Sequence, residues 1–151
     1  GKIKYSSLKL ERSFDFGKWT LHNSIIYQMI NQNEDILNLP QFMSRNTLFF
    51  SERIFRNTLA IQTGLNFKIF SKYYANEYNP LISDFHIQNQ KKIGSFPLFD
   101  FFFNAKIRQT KIFIIAEHIN SSFTGNNFYS TPESVYRDFG VRFGFKWNLF
   151  N

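Results

Sequence analysis

Residues 96–108 place Asp100, Asn104, Lys106 and Arg108 at alternate positions, with Phe99, Phe101, Phe103, Ala105 and Ile107 between them. A two-residue period puts the polar groups on one face of an extended chain and the apolar groups on the other. The same parity gathers Lys9, Glu11, His22, Arg53, Gln62, Asn66, Lys68, Glu117, Arg142 and Lys146 onto the polar faces of their own segments. Single charges of both signs, spread over several extended segments, suit the lining of a water-filled lumen, with a slight basic excess that favours small anions. The competing reading is that these groups pair with one another and only keep an interior polar.

Catalysis has little to stand on. His22 lies near Ser24, and His118 near Ser121 and Ser122, but a hydrolase needs nucleophile, base and orienter within hydrogen-bonding reach, which closeness in the chain does not supply. No G-x-S-x-G elbow is present. We therefore expect no catalytic residues. His22, His86 and His118 have no metal-ligand spacing, and cysteine is absent, so neither a metal nor a cofactor is expected. Tyr73, Tyr74 and Tyr78 would either stack on a sugar or pack a loop onto a rim.

The elements that must carry these groups are strands. No window shows the i, i+3, i+4, i+7 apolar recurrence of a helix, and no apolar run approaches the length of a membrane helix. Aromatic residues make up 20% of the 151 positions and apolar residues 43%, too many for a disordered chain. Seven alternating segments are expected, near 3–15, 19–31, 43–55, 58–71, 96–108, 111–119 and 137–151. Asp15 to Lys18, Arg56-Asn57 and Gln109-Thr110 read as tight turns. Residues 31–42, 72–95 and 120–135 read as long loops, the second carrying a partial strand. Residues 111–118 are apolar on both parities, so their facing stays open.

The segment near 58–71 is about fourteen residues long, beyond the roughly five or six typical of soluble strands and enough for a tilted membrane-spanning strand. Its apolar row is Leu59, Ile61, Leu65, Phe67 and Ile69. The last segment supplies Phe139, Val141, Phe143, Phe145, Trp147 and Leu149. In a barrel these residues, with Phe99, Phe101 and Phe103, face lipid; in a soluble sandwich or a lipocalin-like binder they would form the core. Lys or Arg facing lipid at midplane costs about 2–4 kcal/mol, which fixes the parity of most charges. Arg12, Asn23 and Glu52 interrupt the apolar rows, and Ile26 the polar one.

Arg142, Gly144, Trp147 and Leu149 have the spacing of a C-terminal signal resembling those read by the outer-membrane assembly machinery. Counting back from an inward-running last strand puts all three long loops outside and all three short turns on the periplasmic side. The expected fold is all-β, an antiparallel up-and-down transmembrane barrel. Because seven is odd and bacterial single-chain barrels use even numbers, residues 1–151 are expected to be the C-terminal strands of one larger barrel domain. The formal net charge of +7 is scattered, so nucleic acid is not an expected partner.

Several patterns point to a relationship: Leu39-Pro40 before a strand, Tyr73-Tyr74 then Tyr78-Asn79-Pro80, and Ile93-Gly94 running on to Asp100 and the stretch Phe101 to Ile107. Glu117-His118-Ile119-Asn120 and the closing Phe143 to Asn148 continue it. Together they resemble the Bacteroidetes putative porin family over most of the chain, without its N-terminal strands or a signal peptide. The resemblance implies a barrel in the outer membrane of a Gram-negative bacterium, with channel activity and no catalytic residues. The partners expected are outer-membrane lipid and lipopolysaccharide, the assembly machinery, small solutes, and subunits of an envelope complex should the barrel be structural or secretory instead of conducting.

Overall fold

The computed structural model describes residues 2–34, 36–124 and 128–148. Strands β1 (Ile3–Phe16) and β2 (Trp19–Gln32) form a hairpin turned at Gly17, whose φ of +66° suits a residue without a Cβ. Strands β3 (Phe42–Ile54) and β4 (Leu59–Phe70) form the next. Their register pairs Ile54 with Leu59, so residues 55–58 make the connection and the expected two-residue Arg56-Asn57 turn is corrected to a wider one. Phe55, Arg56 and Asn57 all take positive φ there.

Residues 72–95 are more ordered than a loop with one partial strand. They hold β5 (Tyr73–Tyr74), β6 (Glu77–Asn79), β7 (Asp84–His86) and β8 (Lys92–Ile93); β5 pairs with β8, and β6 with β7, as two successive antiparallel ribbons. Strands β9 (Leu98–Ile107) and β10 (Thr110–Glu117) follow, then a helical turn α1 (Ser121–Thr124), a small hairpin of β11 (Tyr129–Thr131) and β12 (Ser134–Val135), and β13 (Gly140–Trp147). Thr110 belongs to β10, and the turn is Arg108-Gln109.

The seven long strands make one antiparallel sheet in the order β1-β2-β3-β4-β9-β10-β13. This is the expected all-β meander, with the three short turns at one end and the three long connections at the other. The sheet is open. Strands β1 and β13 each have one hydrogen-bonded neighbour among the described residues, and both run toward the short-turn end, so pairing them directly would give a parallel seam in an otherwise antiparallel wall.

Register settles what alternation leaves open on β10. Ile112, Ile114 and Ala116 pair with Ala105, Phe103 and Phe101, which puts them on the apolar face; Lys111, Phe113, Ile115 and Glu117 take the polar one. That apolar face is uncovered: Phe143 is 83% exposed, Phe145 75% and Leu8 71%. The second layer that a sandwich needs is missing among the described residues.

Apart from Ala105, the buried apolar residues Ala75, Ile93, Phe96 and Leu98 lie instead at the long-loop end. Phe96 is 1% exposed. Its ring stacks on Phe128 at 4.4 Å and meets Phe70 and Tyr136 edge-on at 5.4 and 5.5 Å. It thereby ties the end of β4, the entry to β9 and the third long connection into one cluster.

Candidate functional site: the polar face of the sheet

Because the strands keep a continuous register, the polar side chains fall into rows that cross the sheet. From the long-loop end, one row runs Glu11, Ser24, Arg45, Lys68, and the next Ser13, His22, Thr47, Asn66, Asp100. A third runs Asp15, Thr20, Phe49, Gly64, Phe102, Ile115, Arg142 and is apolar through its middle. Then come Ser51, Gln62, Asn104, Phe113, Gly144 and, nearest the short turns, Arg53, Ala60, Lys106, Lys111, Lys146.

Two glycines make room for this packing. A Cβ on Gly64 would lie 2.2 Å from the Leu48 carbonyl oxygen and 2.6 Å from the Phe49 Cβ. On Gly144 it would lie 2.6 Å from the Phe113 ring, which covers that glycine.

Carboxylates on the polar face have partners. Lys9 approaches Glu11 at 2.7 Å, and Ser24 donates to the same carboxylate. Thr20 donates to Asp15 at 2.6 Å. Lys68 meets Asp100 at 2.6 Å, and Glu117 binds Arg137 at 3.2 Å and also Arg142. Between these, Thr47 donates to Asn66 at 2.7 Å.

Asp100 is also a structural hub. Its second oxygen accepts the backbone N–H of His118 at 3.0 Å. His118 is 2% exposed, with φ +52°. Its Nδ1 lies 2.8 Å from the Arg137 carbonyl oxygen, to which it donates, and Nε2 has no hydrogen-bond partner among the described residues. Gln28 plays a similar part at the other edge, accepting from the Tyr5 hydroxyl at 2.9 Å and donating to the Pro40 carbonyl at 2.5 Å.

Of the polar residues expected from sequence, Lys9, Glu11, His22, Arg53, Gln62, Asn66, Lys68, Asp100, Asn104, Lys106, Glu117, Arg142 and Lys146 share this face. Arg108 does not: it stands in the β9–β10 turn with φ +51°, since β9 ends one residue earlier. Leu59, Ile61, Leu65, Phe67, Phe99, Phe101, Phe103, Val141, Phe143, Phe145 and Trp147 lie on the opposite face. Phe139 precedes β13 in a bend, and Leu149 lies outside the described residues. Trp19 and Trp147 both sit at the short-turn end.

The interruptions of the apolar face are placed too. Arg12, Asn23 and Asn46 form a row on it, with the Arg12 guanidinium 4.8 Å from the Phe14 ring centroid, and Glu52 binds Lys18. Ser24 bonds Glu11 and not His22; the hydroxyl beside His22 Nδ1 is that of Ser13, at 2.8 Å. Tyr73, Tyr74 and Tyr78 go separate ways, against Phe70, under Lys92 and against Phe85.

Two charged residues of the polar face, Arg45 and Lys111, are not marked by the sequence pattern; Arg45 pairs with Ser24 and Lys68. Lys111 pairs with Lys106 across a two-residue turn, a register that the turn length alone would have supplied.

A sequence model of the family described as "Putative porin" matches residues 1–151. No curated protein and no solved structure matches the chain. Since the family match takes in every strand of the sheet and all three long connections, the chain belongs to the putative porin family.

Proposed function

We propose that these strands are part of the wall of an outer-membrane β-barrel, in a Gram-negative bacterium, through which small solutes diffuse passively. The observation that carries this reading is the division of a single sheet into one polar face and one apolar face on which none of the described residues forms a second layer. Open edges that run the same way suit a wall completed by further antiparallel strands. Trp19 and Trp147 at one end fit an aromatic girdle, and Arg142, Gly144 and Trp147 fit a signal for the assembly machinery. Lipid and lipopolysaccharide would bathe the apolar face. The full-length protein in planar bilayers is expected to give discrete conductance steps; bilayers that stay sealed would reject the pore.

A second reading is a barrel that serves as a structural or secretory component of an envelope complex without free conductance. The Arg12, Asn23, Asn46 row favours it, because polar groups on a lipid-facing wall are costly unless another subunit covers them. Stoichiometric partners on purification, without conductance, would mark that outcome.

A further inference from the structure

Four cations from four different strands stand in one cross-strand row at the short-turn end: Arg53 on β3, Lys106 on β9, Lys111 on β10 and Lys146 on β13. Ala60, on β4, separates the first two. All four line a concavity of about 790 Å³, to which Gln62 and Asn104 contribute from the row above. Glu52 reaches its edge, but that carboxylate is engaged by Lys18.

Directly opposed side chains on neighbouring strands have Cβ atoms about 4.5–5.5 Å apart, and like charges so placed repel. Among the described residues no carboxylate lies within ion-pairing distance of any of the four. The carboxylates of the rest of the face, Glu11, Asp15, Asp100 and Glu117, are all engaged by other groups. A row of three opposed lysines calls for negative charge that the described part of the chain does not supply.

The donors define what would supply it. Arg53 offers a planar fork matched to two oxygens of one anion, and the lysines offer compact point charges. Gln62 and Asn104 add amide N–H donors, and the short Ala60 side chain leaves space between Arg53 and Lys106. We propose that this row binds a small oxyanion, a phosphate or carboxylate solute, at the short-turn mouth of the polar face. Passage of such anions rests on the pore reading, whereas binding does not.

The test uses the full-length protein in detergent, titrated into inorganic phosphate and followed by ³¹P line broadening, beside reversal potentials in a KCl gradient across planar bilayers. The variant Lys106→Gln/Lys111→Gln/Lys146→Gln removes three of the row's four charges and the repulsion among the opposed lysines; Lys106→Arg/Lys111→Arg/Lys146→Arg keeps the charge and controls for folding. Wild type and the arginine variant should broaden the phosphate signal, with affinity falling about tenfold or more in the glutamine variant and the chloride-to-potassium permeability ratio falling with it. Phosphate binding across a sealed bilayer would uphold the site and reject the pore. Conductance with a flat phosphate titration, or with a phosphate affinity unmoved by the glutamine variant, would overturn the site and leave the pore standing. Displacement of phosphate by added phosphatidylglycerol would overturn the assignment to a free solute and give the row to a lipid headgroup.

Discussion

The Asp100 carboxylate accepts the backbone N–H of His118 at 3.0 Å, at the point where the chain leaves β10 for its third long connection. Its other oxygen holds Lys68 at 2.6 Å. One side chain therefore joins β9 to β4 and fixes the backbone of the following connection. Asp100→Ala strands a buried N–H and an ammonium together, and we expect a loss of about 2–3 kcal/mol; Asp100→Asn keeps an acceptor and should lose about half as much. Denaturant unfolding in detergent, followed by heat-modifiable gel mobility, measures both.

Gly64 makes a second test of the packing. An alanine there would place its Cβ 2.2 Å from the Leu48 carbonyl oxygen, a backbone atom that cannot swing aside. Gly64→Ala should cost about 1–3 kcal/mol or more. At Gly140 no atom stands within 4 Å of an added Cβ, and Gly140→Ala should stay within about 0.5 kcal/mol of wild type. The same unfolding measurement compares the two.

Tyr136 carries a pH signature. Burial, aided by the Asp100 and Glu117 carboxylates and opposed by Arg137, holds its phenol above the ordinary tyrosine pKa. A group raised in the folded state contributes stability that is fully present below its unfolded pKa, about 10, and is lost as pH rises through the folded value. The wild-type minus Tyr136→Phe absorbance difference at phenolate wavelengths should therefore develop only above the ordinary tyrosine range. Tyr136→Phe should also remove part of the alkaline loss of stability. A difference spectrum that titrates with exposed tyrosine would contradict the packing of this ring against His118, 5.4 Å between centroids.

Alternation made the sheet legible wherever it was strict. Phe139 to Trp147 and Leu59 to Ile69 announce their faces residue by residue, and the lengths of the connections between strands order the two ends. It failed where local pattern carries no information. Ile112 to Ile115 are apolar on both parities, and only pairing with β9 assigns them, which is also why Lys111 joined the polar face unannounced. Arg108 kept the right parity but ran past the end of its strand, since one residue decides between a strand and a turn. The loop core was invisible for another reason: Phe96, Phe128, His118 and Tyr136 meet across separations of 10 to 40 residues, which no periodicity reports.

Whether one face meets lipid and the other meets water is the claim on which the functional reading depends. Residues 1–151 hold no cysteine, so single cysteines placed at positions 142 to 147, with any cysteine elsewhere in the full-length protein replaced by serine, can be spin-labelled and reconstituted in vesicles. Power saturation then compares collisions with oxygen, which partitions into lipid, and with a water-soluble nickel chelate. A two-residue alternation is expected, with oxygen favoured at 143, 145 and 147 and the chelate at 142, 144 and 146. Equal chelate access at every position, or protection of 143 and 145 from both reagents, would contradict it.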